Sequence, residues 1–151
     1  MNLEGKVVVI TGGGRGLGRA FAAKLADKGA NLAMVDLNQD DLNATKAMAL
    51  AKGVKTQTYI TNVAKEDEVV SLFDQIVKDF GQVDGLINNA GITRDGLIVR
   101  KKKIKDEAGN VTGEEIQKMS LQNWQLVIDV NLTGVFLCSR EFFEKQLQLG
   151  G

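Results

Sequence analysis

Short apolar runs alternate with longer amphipathic stretches along the first half of the chain. Lys6–Ile10 is dense in β-branched residues, which is typical of a strand buried on both faces. Three further runs have strand length, namely Asn31–Val35, Lys55–Thr61 and Val83–Ile87. The alternation predicts a succession of strand–helix–strand units.

The stretches between these runs have helical character, and each ends at a glycine. From Glu66 the apolar residues recur with the period of a helix packed on a sheet, and Gly81 ends that pattern. Earlier helices are predicted to end at Gly29 and, for residues 42–52, at Gly53. Right-handed crossovers then predict an α/β, Rossmann-like, doubly wound parallel sheet with strand order 3-2-1-4. Its ligand site should lie between the first and fourth strands.

Residues 97–119 interrupt this alternation, and the turn-forming residues of Asp106–Gly113 predict a protruding hairpin or loop. Ser120 is a suitable cap for a following helix, which we expect to span about residues 121–146. One broad face of this helix carries Trp124, Val127, Ile128, Val135, Cys138 and Phe142.

The amino-acid composition excludes several kinds of ligand and catalytic site. Lys and Arg together number 19, as do Asp and Glu, so no net charge attracts nucleic acid or an anionic membrane. Histidine is absent, which excludes Ser-His-Asp and Cys-His triads and every zinc site that needs histidine. The single cysteine excludes an intrachain disulfide. Neither a membrane-spanning run nor a secretory signal is present, so we expect a cytoplasmic protein. Because histidine is absent and there is one cysteine, we also expect no metal site.

A glycine-rich segment joins the first strand to the first helix. A tight turn and a close approach of phosphate to the backbone both require residues without a Cβ atom, and the helix N-terminus attracts a pyrophosphate. The spacing fits T-G-x-x-x-G-x-G, whereas a Walker A loop would need Lys and Ser or Thr where Arg19 and Ala20 stand. A plain glycine-rich turn is the alternative. The candidate phosphate-binding residues are Gly12, Gly14, Arg15, Gly16, Leu17 and Gly18.

Asp36 follows the second strand, 18 positions after Gly18, and Leu37 is the next residue. A carboxylate there can accept hydrogen bonds from the adenosine ribose and would repel a 2′-phosphate, which favours NAD(H). Arg15 could instead pair with that phosphate, so NADP remains open. Asp36 could also act only as a cap for the turn.

Several motifs occur in order: Thr11–Gly18, Asp36, Asn62-Val63, Asn88–Gly91, and Asn131 within Val130-Asn-Leu-Thr-Gly134. Together they resemble the short-chain dehydrogenase/reductases over essentially the whole chain. The segments 88–95 and 62–63 are most similar to the 3-oxoacyl-[acyl-carrier-protein] reductases of that family, although Asp36 is less usual there and the 97–119 segment is longer.

The resemblance implies roles for individual residues. Asn62 and Val63 would border the adenine ring, and Asn131 would be the catalytic asparagine whose backbone carbonyl holds a water of the proton relay. The end of the fourth strand would line the cofactor with Asn89, Ala90 and Gly91. From the residues alone, Asn131 is more simply interpreted as a satisfied core amide that bends its helix.

The family's proton donor is a tyrosine with a lysine four residues later and a serine upstream. The only tyrosine here is Tyr59, with Val63 four residues on. We therefore expect the catalytic Ser, Tyr and Lys, strand 5 and most of the substrate pocket to lie beyond Gly151. Residues 1–151 would then be the N-terminal part of a single dinucleotide-binding domain, inactive alone.

Two hypotheses follow. The first is an NAD(H)-dependent oxidoreductase that interconverts a carbonyl and an alcohol, with a small carbonyl compound or a 3-oxoacyl thioester as substrate. The second is a non-catalytic dinucleotide-binding module or a truncated product. The resemblance implies a homodimer or homotetramer through helix 121–146. The basic run Arg100–Lys103 with Lys105 would suit an acyl carrier protein, although such a run is more often a solvated loop.

Overall fold

The computed structural model describes residues 2–94 and 96–150. Asp95, which ends the 88–95 motif, lies outside the described residues. The strands are β1 (Val7–Thr11), β2 (Asn31–Asp36), β3 (Thr56–Ile60), β4 (Gly85–Ile87), β5 (Val99–Lys105) and β6 (Val111–Lys118). The helices are α1 (Gly16–Ala26), α2 (Gln39–Leu50), α3 (Glu66–Phe80), α4 (Leu121–Ile128), a π-helical segment (Asp129–Thr133) and α5 (Gly134–Gln148).

The main sheet is parallel, with the predicted order β3-β2-β1-β4. Helices cover both faces, and the alternation of side chains along β1 separates two cores. Val8 and Ile10 pack with residues of α1 and α2, whereas Val9 packs with residues of α3 and α5. Burial on both faces explains why β1 is an uninterrupted apolar run.

The helix ends depend on local hydrogen bonds. As predicted, α3 ends before Gly81, which adopts the left-handed conformation at φ 79°. Helix α2 starts at Gln39 rather than at the predicted Leu42, because the Asn38 side chain accepts a hydrogen bond from the Asp41 amide at 3.0 Å. Polar residues therefore form the first turn of α2.

The long C-terminal helix differs from the prediction in two ways. A π-helical segment separates α4 from α5, and α5 continues to Gln148. Ser120 caps α4 as predicted, and Cys138 is fully buried. The predicted apolar face is not buried along its whole length, because α4 contains no buried residue and Trp124 is 54% exposed. Burial starts only at Gly134, where a Cβ atom would lie 2.9 Å from Val63 Cγ2.

Residues 99–118 form an antiparallel hairpin that pairs β5 with β6. Most of its side chains are exposed, and two lysines of the basic run face glutamates across the strands. Lys101 lies 3.4 Å from Glu114, and Lys102 lies 3.5 Å from Glu115. Such exposed pairs contribute little stability. Among the described residues, no helix combines the length and apolar character that crossing a bilayer requires.

Because of the buried Cys138 thiol, we expect the fold to lose stability at alkaline pH. Burial, and secondarily the charge of Glu141, raises the pKa of its thiol from 9.0 to about 11. The unfolded chain therefore releases this proton before the folded chain does, and stability is lost as the pH rises through that window. We expect the free energy of unfolding to fall by about 2–3 kcal/mol more in the wild type than in Cys138→Ala. Urea unfolding of both proteins from about pH 8 to about pH 11 measures this difference. If the free energy of unfolding falls equally with pH in the two proteins, the expectation is wrong.

Candidate functional site

A cavity of about 810 Å³ opens at the carboxyl ends of the parallel strands. This is the position that the topology predicts for a ligand. The predicted residues that line it are Gly12, Arg15, Gly16, Asp36, Leu37, Asn62, Val63, Asn89, Ala90 and Gly91. Gly14, Leu17 and Gly18 were also predicted as cofactor contacts but do not line it.

The glycine loop forms the floor of this cavity through very close backbone contacts. Gly12 has φ 64°, and a Cβ atom on Gly18 would lie 2.0 Å from the Gly12 carbonyl oxygen. A Cβ atom on Gly14 would lie 2.9 Å from both Asp36 Oδ2 and Asp41 Cβ. Gly14 and Gly18 therefore shape the cavity from behind, while Leu17 is 70% exposed. Since Arg15 makes no side-chain cap on α1, the first-turn amides of that helix keep their capacity for an anion.

A buried hydroxyl joins this loop to the end of β4. Thr11 is 1% exposed, and its Oγ1 accepts hydrogen bonds from the amides of Asn89 and Ala90, both at 3.0 Å. The same hydroxyl donates to the Ile87 carbonyl at 3.4 Å. The Asn89 side chain in turn donates to the carbonyls of Thr11 and Gly12, both at 3.1 Å. These bonds hold the two walls of the cavity together where β1 and β4 diverge.

Asp36 lies on the wall formed by β2. Its carboxylate accepts hydrogen bonds from the amides of Gly14 at 3.0 Å, Leu37 at 2.8 Å and Asn38 at 3.3 Å. The carboxylate thus caps the turn, which was one of the two interpretations open from the sequence. Because a carboxylate has about four acceptor positions, it retains capacity for a ligand hydroxyl.

The loop after β3 holds Asn62 in the cavity wall. Its amide donates to Glu68 Oε2 at 2.7 Å, and its Oδ1 accepts from the Ala64 amide at 3.0 Å. Lys65 pairs with the same glutamate at 2.9 Å. The hydrogen bond from the Asn62 amide, and secondarily the contact with Lys65, hold the pKa of Glu68 below its usual value. The polar Asn62 side chain is therefore fixed beside Val63, with one lone pair of Oδ1 left for a ligand.

Asn131 lies in the π-helical segment beside the end of the β4 wall. Its Oδ1 accepts from the Ile92 amide and its Nδ2 donates to the Ile92 carbonyl, both at 2.9 Å. Of the two interpretations of Asn131, the one from the residues alone was a satisfied core amide. The amide is satisfied, but Asn131 is exposed and not part of the core. It does not line the cavity, although its neighbour Val130 and its partner Ile92 do.

Sequence reasoning missed several residues of the lining. They are Val35, Asn38, Gln39, Asp40, Asp41, Thr61, Ile92 and Val130. All but Val130 lie at or soon after the end of a parallel strand or in the β4 loop, so the carboxyl-end rule could have found them. Val130 had no such signal, because the helix that carries it is distant in sequence. Within residues 2–94 and 96–150, no group of three or more Cys, Asp or Glu residues could hold a metal ion.

Comparison with known proteins decides the family. The family model described as short chain dehydrogenase matches residues 6–150. The chain belongs to the short-chain dehydrogenase family.

The similar short-chain dehydrogenases include two 3-oxoacyl-[acyl-carrier-protein] reductases. The protein from Staphylococcus epidermidis is 38% identical over 95% of this chain and 52% of its own length. The protein from Thermotoga maritima is 35% identical over 90% of this chain and 48% of its own length. A 2,5-dichloro-2,5-cyclohexadiene-1,4-diol dehydrogenase from Sphingobium indicum is 34% identical over 92% of this chain and 48% of its own length. The chain spans about half the length of the curated relatives it matches.

Solved structures of short-chain dehydrogenases have the same fold. An NAD⁺-bound xylitol dehydrogenase superimposes with a TM-score of 0.77, at 27% identity over 98% of this chain and 50% of that one. A levodione reductase superimposes with the same TM-score of 0.77, at 32% identity over 99% of this chain and 52% of that one.

The only tyrosine lacks the environment of the short-chain dehydrogenase proton donor. Tyr59 does not line the cavity, and its hydroxyl donates to Asp79 Oδ2 at 2.7 Å. Burial, together with Asp79, raises the pKa of Tyr59. The family mechanism needs the opposite shift, which a neighbouring lysine would supply.

The Thr11 hydroxyl should be essential to this short-chain dehydrogenase site. Thr11→Val preserves the shape but leaves the amides of Asn89 and Ala90 without their acceptor. We expect the free energy of unfolding to fall by about 2–4 kcal/mol. Thr11→Ser keeps the hydroxyl and should cost only about 1 kcal/mol for the lost methyl group. Urea unfolding of both variants tests this, and equal losses would show that packing, not hydrogen bonding, holds the two walls.

Proposed function

We propose that this chain is the cofactor-binding portion of an NAD(H)-dependent oxidoreductase that interconverts a carbonyl and an alcohol. The observation that supports this proposal most strongly is a single cavity lined by the glycine loop, the N-terminus of α1 and the Asp36 carboxylate. Similarity to 3-oxoacyl-[acyl-carrier-protein] reductases favours a 3-oxoacyl thioester as the substrate class.

The residues of the cavity fit a dinucleotide. Because Gly12 and Gly16 have no side chains and have φ of 64° and 53°, a pyrophosphate can approach the backbone at the start of α1. Asn62 and Val63 would hold the adenine, and Asn89, Ala90 and Gly91 would lie along the cofactor towards the nicotinamide. When bound, the nicotinamide supplies or accepts the hydride. The chain's own residues bind and orient it.

Charge on the β2 wall favours NAD over NADP. Asp36, Asp40 and Asp41 line this part of the cavity, and Arg15 is the cation among the described residues that line it. Although Asp41 lies 3.7 Å from Arg19, Asp36 and Asp40 have no such partner among the ion pairs of the described residues. A 2′-phosphate would be repelled by these carboxylates, whereas a 2′-hydroxyl could donate to Asp36.

We assign the family's catalytic asparagine to Asn131. A π-helical turn changes the hydrogen-bond pattern of the backbone, and such turns occur frequently at functional sites. Here the turn lies where the Asn131 side chain forms two hydrogen bonds with the backbone of Ile92, which lines the cavity. Its backbone carbonyl would hold the water of the proton relay. These 151 residues contain no tyrosine with a lysine four residues later.

The exposed face of the C-terminal helix supports assembly of identical chains. Several large apolar side chains of α4, the π-helical segment and α5 are exposed, and exposed apolar surface of this kind is typical of an interface between proteins. The exposed residues are Leu121, Trp124, Leu132, Phe136, Phe143 and Leu147. We infer a homodimer or homotetramer through this helix.

Cofactor binding without turnover is the direct test for these 151 residues. We expect saturable NADH binding by calorimetry, and no NADH oxidation at 340 nm when an acetoacetyl thioester is added. The physical reason is the absence of a tyrosine with a lowered pKa beside the cavity. Tyr59→Phe should bind NADH as the wild type does. If these 151 residues do not bind NADH, the proposed function is wrong. If they oxidise NADH, the proton donor lies among them, which contradicts our expectation.

Asp36 should control the choice of dinucleotide. Replacing Asp36 with Ser removes the carboxylate that faces the 2′ position, so the affinity for NADPH relative to NADH should rise about tenfold, equivalent to about 1.4 kcal/mol. Asp40→Ser is the matched control, because it removes one negative charge from the same wall but not the ribose acceptor. Calorimetric titration of both dinucleotides measures the ratio. An unchanged ratio in Asp36→Ser, or an equal change in Asp40→Ser, would contradict this role.

A further inference from the structure

Two side chains hold the carbonyl oxygen of Gly14, in the glycine loop. The Nη2 atom of Arg19 donates to this oxygen at 2.6 Å, and the Thr45 hydroxyl donates to it at 2.8 Å. The Nε–H group of Arg19 is shared between the same oxygen at 3.1 Å and the Thr45 hydroxyl at 2.9 Å. Because a carbonyl oxygen has two lone pairs, both are occupied here. We call the side chains of Arg19 and Thr45 the Gly14 clamp.

The Gly14 clamp connects three elements at one residue. Arg19 belongs to α1 and Thr45 to α2, while the Gly14 amide donates to Asp36 Oδ2, at the end of β2, at 3.0 Å. Arg19 also donates to the Asp41 carbonyl at 3.3 Å, and Thr45 is fully buried. Both the N–H and the C=O of Gly14 are therefore fixed by groups distant in sequence.

The clamp fixes the direction of the next amide. The Gly14 carbonyl and the Arg15 N–H belong to one trans peptide group, in which the C=O and N–H bonds point in opposite directions. With the carbonyl directed at Arg19 and Thr45, the Arg15 N–H points away from them. Among the hydrogen bonds within residues 2–94 and 96–150, none is donated by this amide.

The Arg19 guanidinium binds the loop from outside the cavity lining. Gly14, Arg19 and Thr45 are not among the described residues that line the cavity, whereas Arg15 is. A Walker A loop has, at the place of Arg19, a lysine that contacts phosphate directly. In this chain the cation at that place instead binds the backbone of the loop and lies 3.7 Å from the Asp41 carboxylate.

We propose that Arg19 and Thr45 are positioning residues for pyrophosphate binding, because they hold the Gly14–Arg15 peptide group with its N–H directed to the cavity. That N–H can then donate a charge-assisted hydrogen bond to a phosphate oxygen. Without the clamp, the peptide group would have to be ordered when the ligand binds, which reduces affinity. This inference rests on the proposed function, since it concerns how the same cavity holds a dinucleotide.

Titration of the 151-residue chain with ADP and with adenosine tests the proposal, because only ADP carries a pyrophosphate on the shared adenine and ribose. Calorimetry measures ADP binding, and displacement of NADH, followed by its fluorescence, measures adenosine binding. We expect Arg19→Met to weaken ADP binding about tenfold and to leave adenosine binding unchanged. A general disturbance of the fold would weaken both ligands equally, and that outcome would overturn the proposal.

Conservative variants separate hydrogen-bond geometry from charge. Arg19→Lys keeps the positive charge but not the planar fork that reaches both Gly14 and Thr45, so it should bind ADP as weakly as Arg19→Met. Thr45→Val should weaken ADP binding about three- to tenfold, and Thr45→Ser, which keeps the hydroxyl, should restore it. Wild-type affinity in Arg19→Lys would indicate attraction of the charge to phosphate. Equal losses in Thr45→Ser and Thr45→Val would indicate packing. Either result would overturn the positioning role.

Lys52→Met is the matched control. Like Arg19, Lys52 is a cation that connects α1 with α2, since it pairs with Asp27 and donates to the Ala23 carbonyl at 3.4 Å. These contacts lie at the carboxyl ends of the two helices, whereas the clamp lies at the start of α1. Lys52→Met should therefore bind ADP as the wild type does. A loss equal to that in Arg19→Met would overturn the proposal.

The Arg15 amide provides a measurement on the wild type that does not depend on how the variants fold. In a nitrogen–proton correlation spectrum its proton resonance should move downfield with ADP but not with adenosine, because a hydrogen bond to phosphate deshields the proton. An unchanged resonance at saturating ADP would overturn the proposal. If the wild type binds neither ADP nor NADH, the proposed function itself is wrong. Equal ADP affinity in the wild type and Arg19→Met overturns the positioning role alone.

Discussion

The cavity at the carboxyl ends of the strands depends on the buried Thr11 hydroxyl. The last residue pair that joins β1 to β4 is Ile10 with Ile87, and no strand pairing holds the two segments together beyond it. The Thr11 hydroxyl uses its donor and both acceptor positions across this gap, to the Ile87 carbonyl and to the amides of Asn89 and Ala90. Without it, buried backbone groups at the divergence would lack partners.

Other parts of the site are built by the same principle, in which one segment satisfies the backbone of another. The Asn89 side chain holds the carbonyls that precede the glycine turn, Asp36 holds the Gly14 amide, and Asn131 holds Ile92. The close contacts at Gly14 and Gly18 follow from these bonds, because side chains there would occupy the space of the interacting atoms. These contacts between distant segments therefore fix the walls of the cavity.

Periodicity predicted what depends on burial. The strand order, the end of α3 at Gly81 and the burial of β1 and Cys138 all follow from apolar residues that must face a core. Local polar chemistry was less predictable. The Asn38 cap moved the start of α2, and the π-helical segment arose where Asn131 bonds to a residue 39 positions away. Trp124 has an apolar side chain at helical spacing, but nothing in the pattern says that α4 contains no buried residue.

The amino-acid sequence by itself therefore determined the class of fold, the switch point between the first and fourth strands and the type of loop that approaches a phosphate. Each of these follows from local spacing and from the handedness of strand crossovers. Tertiary structure alone decided which glycines line the cavity and which support it from behind. It also decided that Asp36 caps a turn while it lines the cavity. These features are contacts between segments distant in sequence, whose geometry no local pattern encodes.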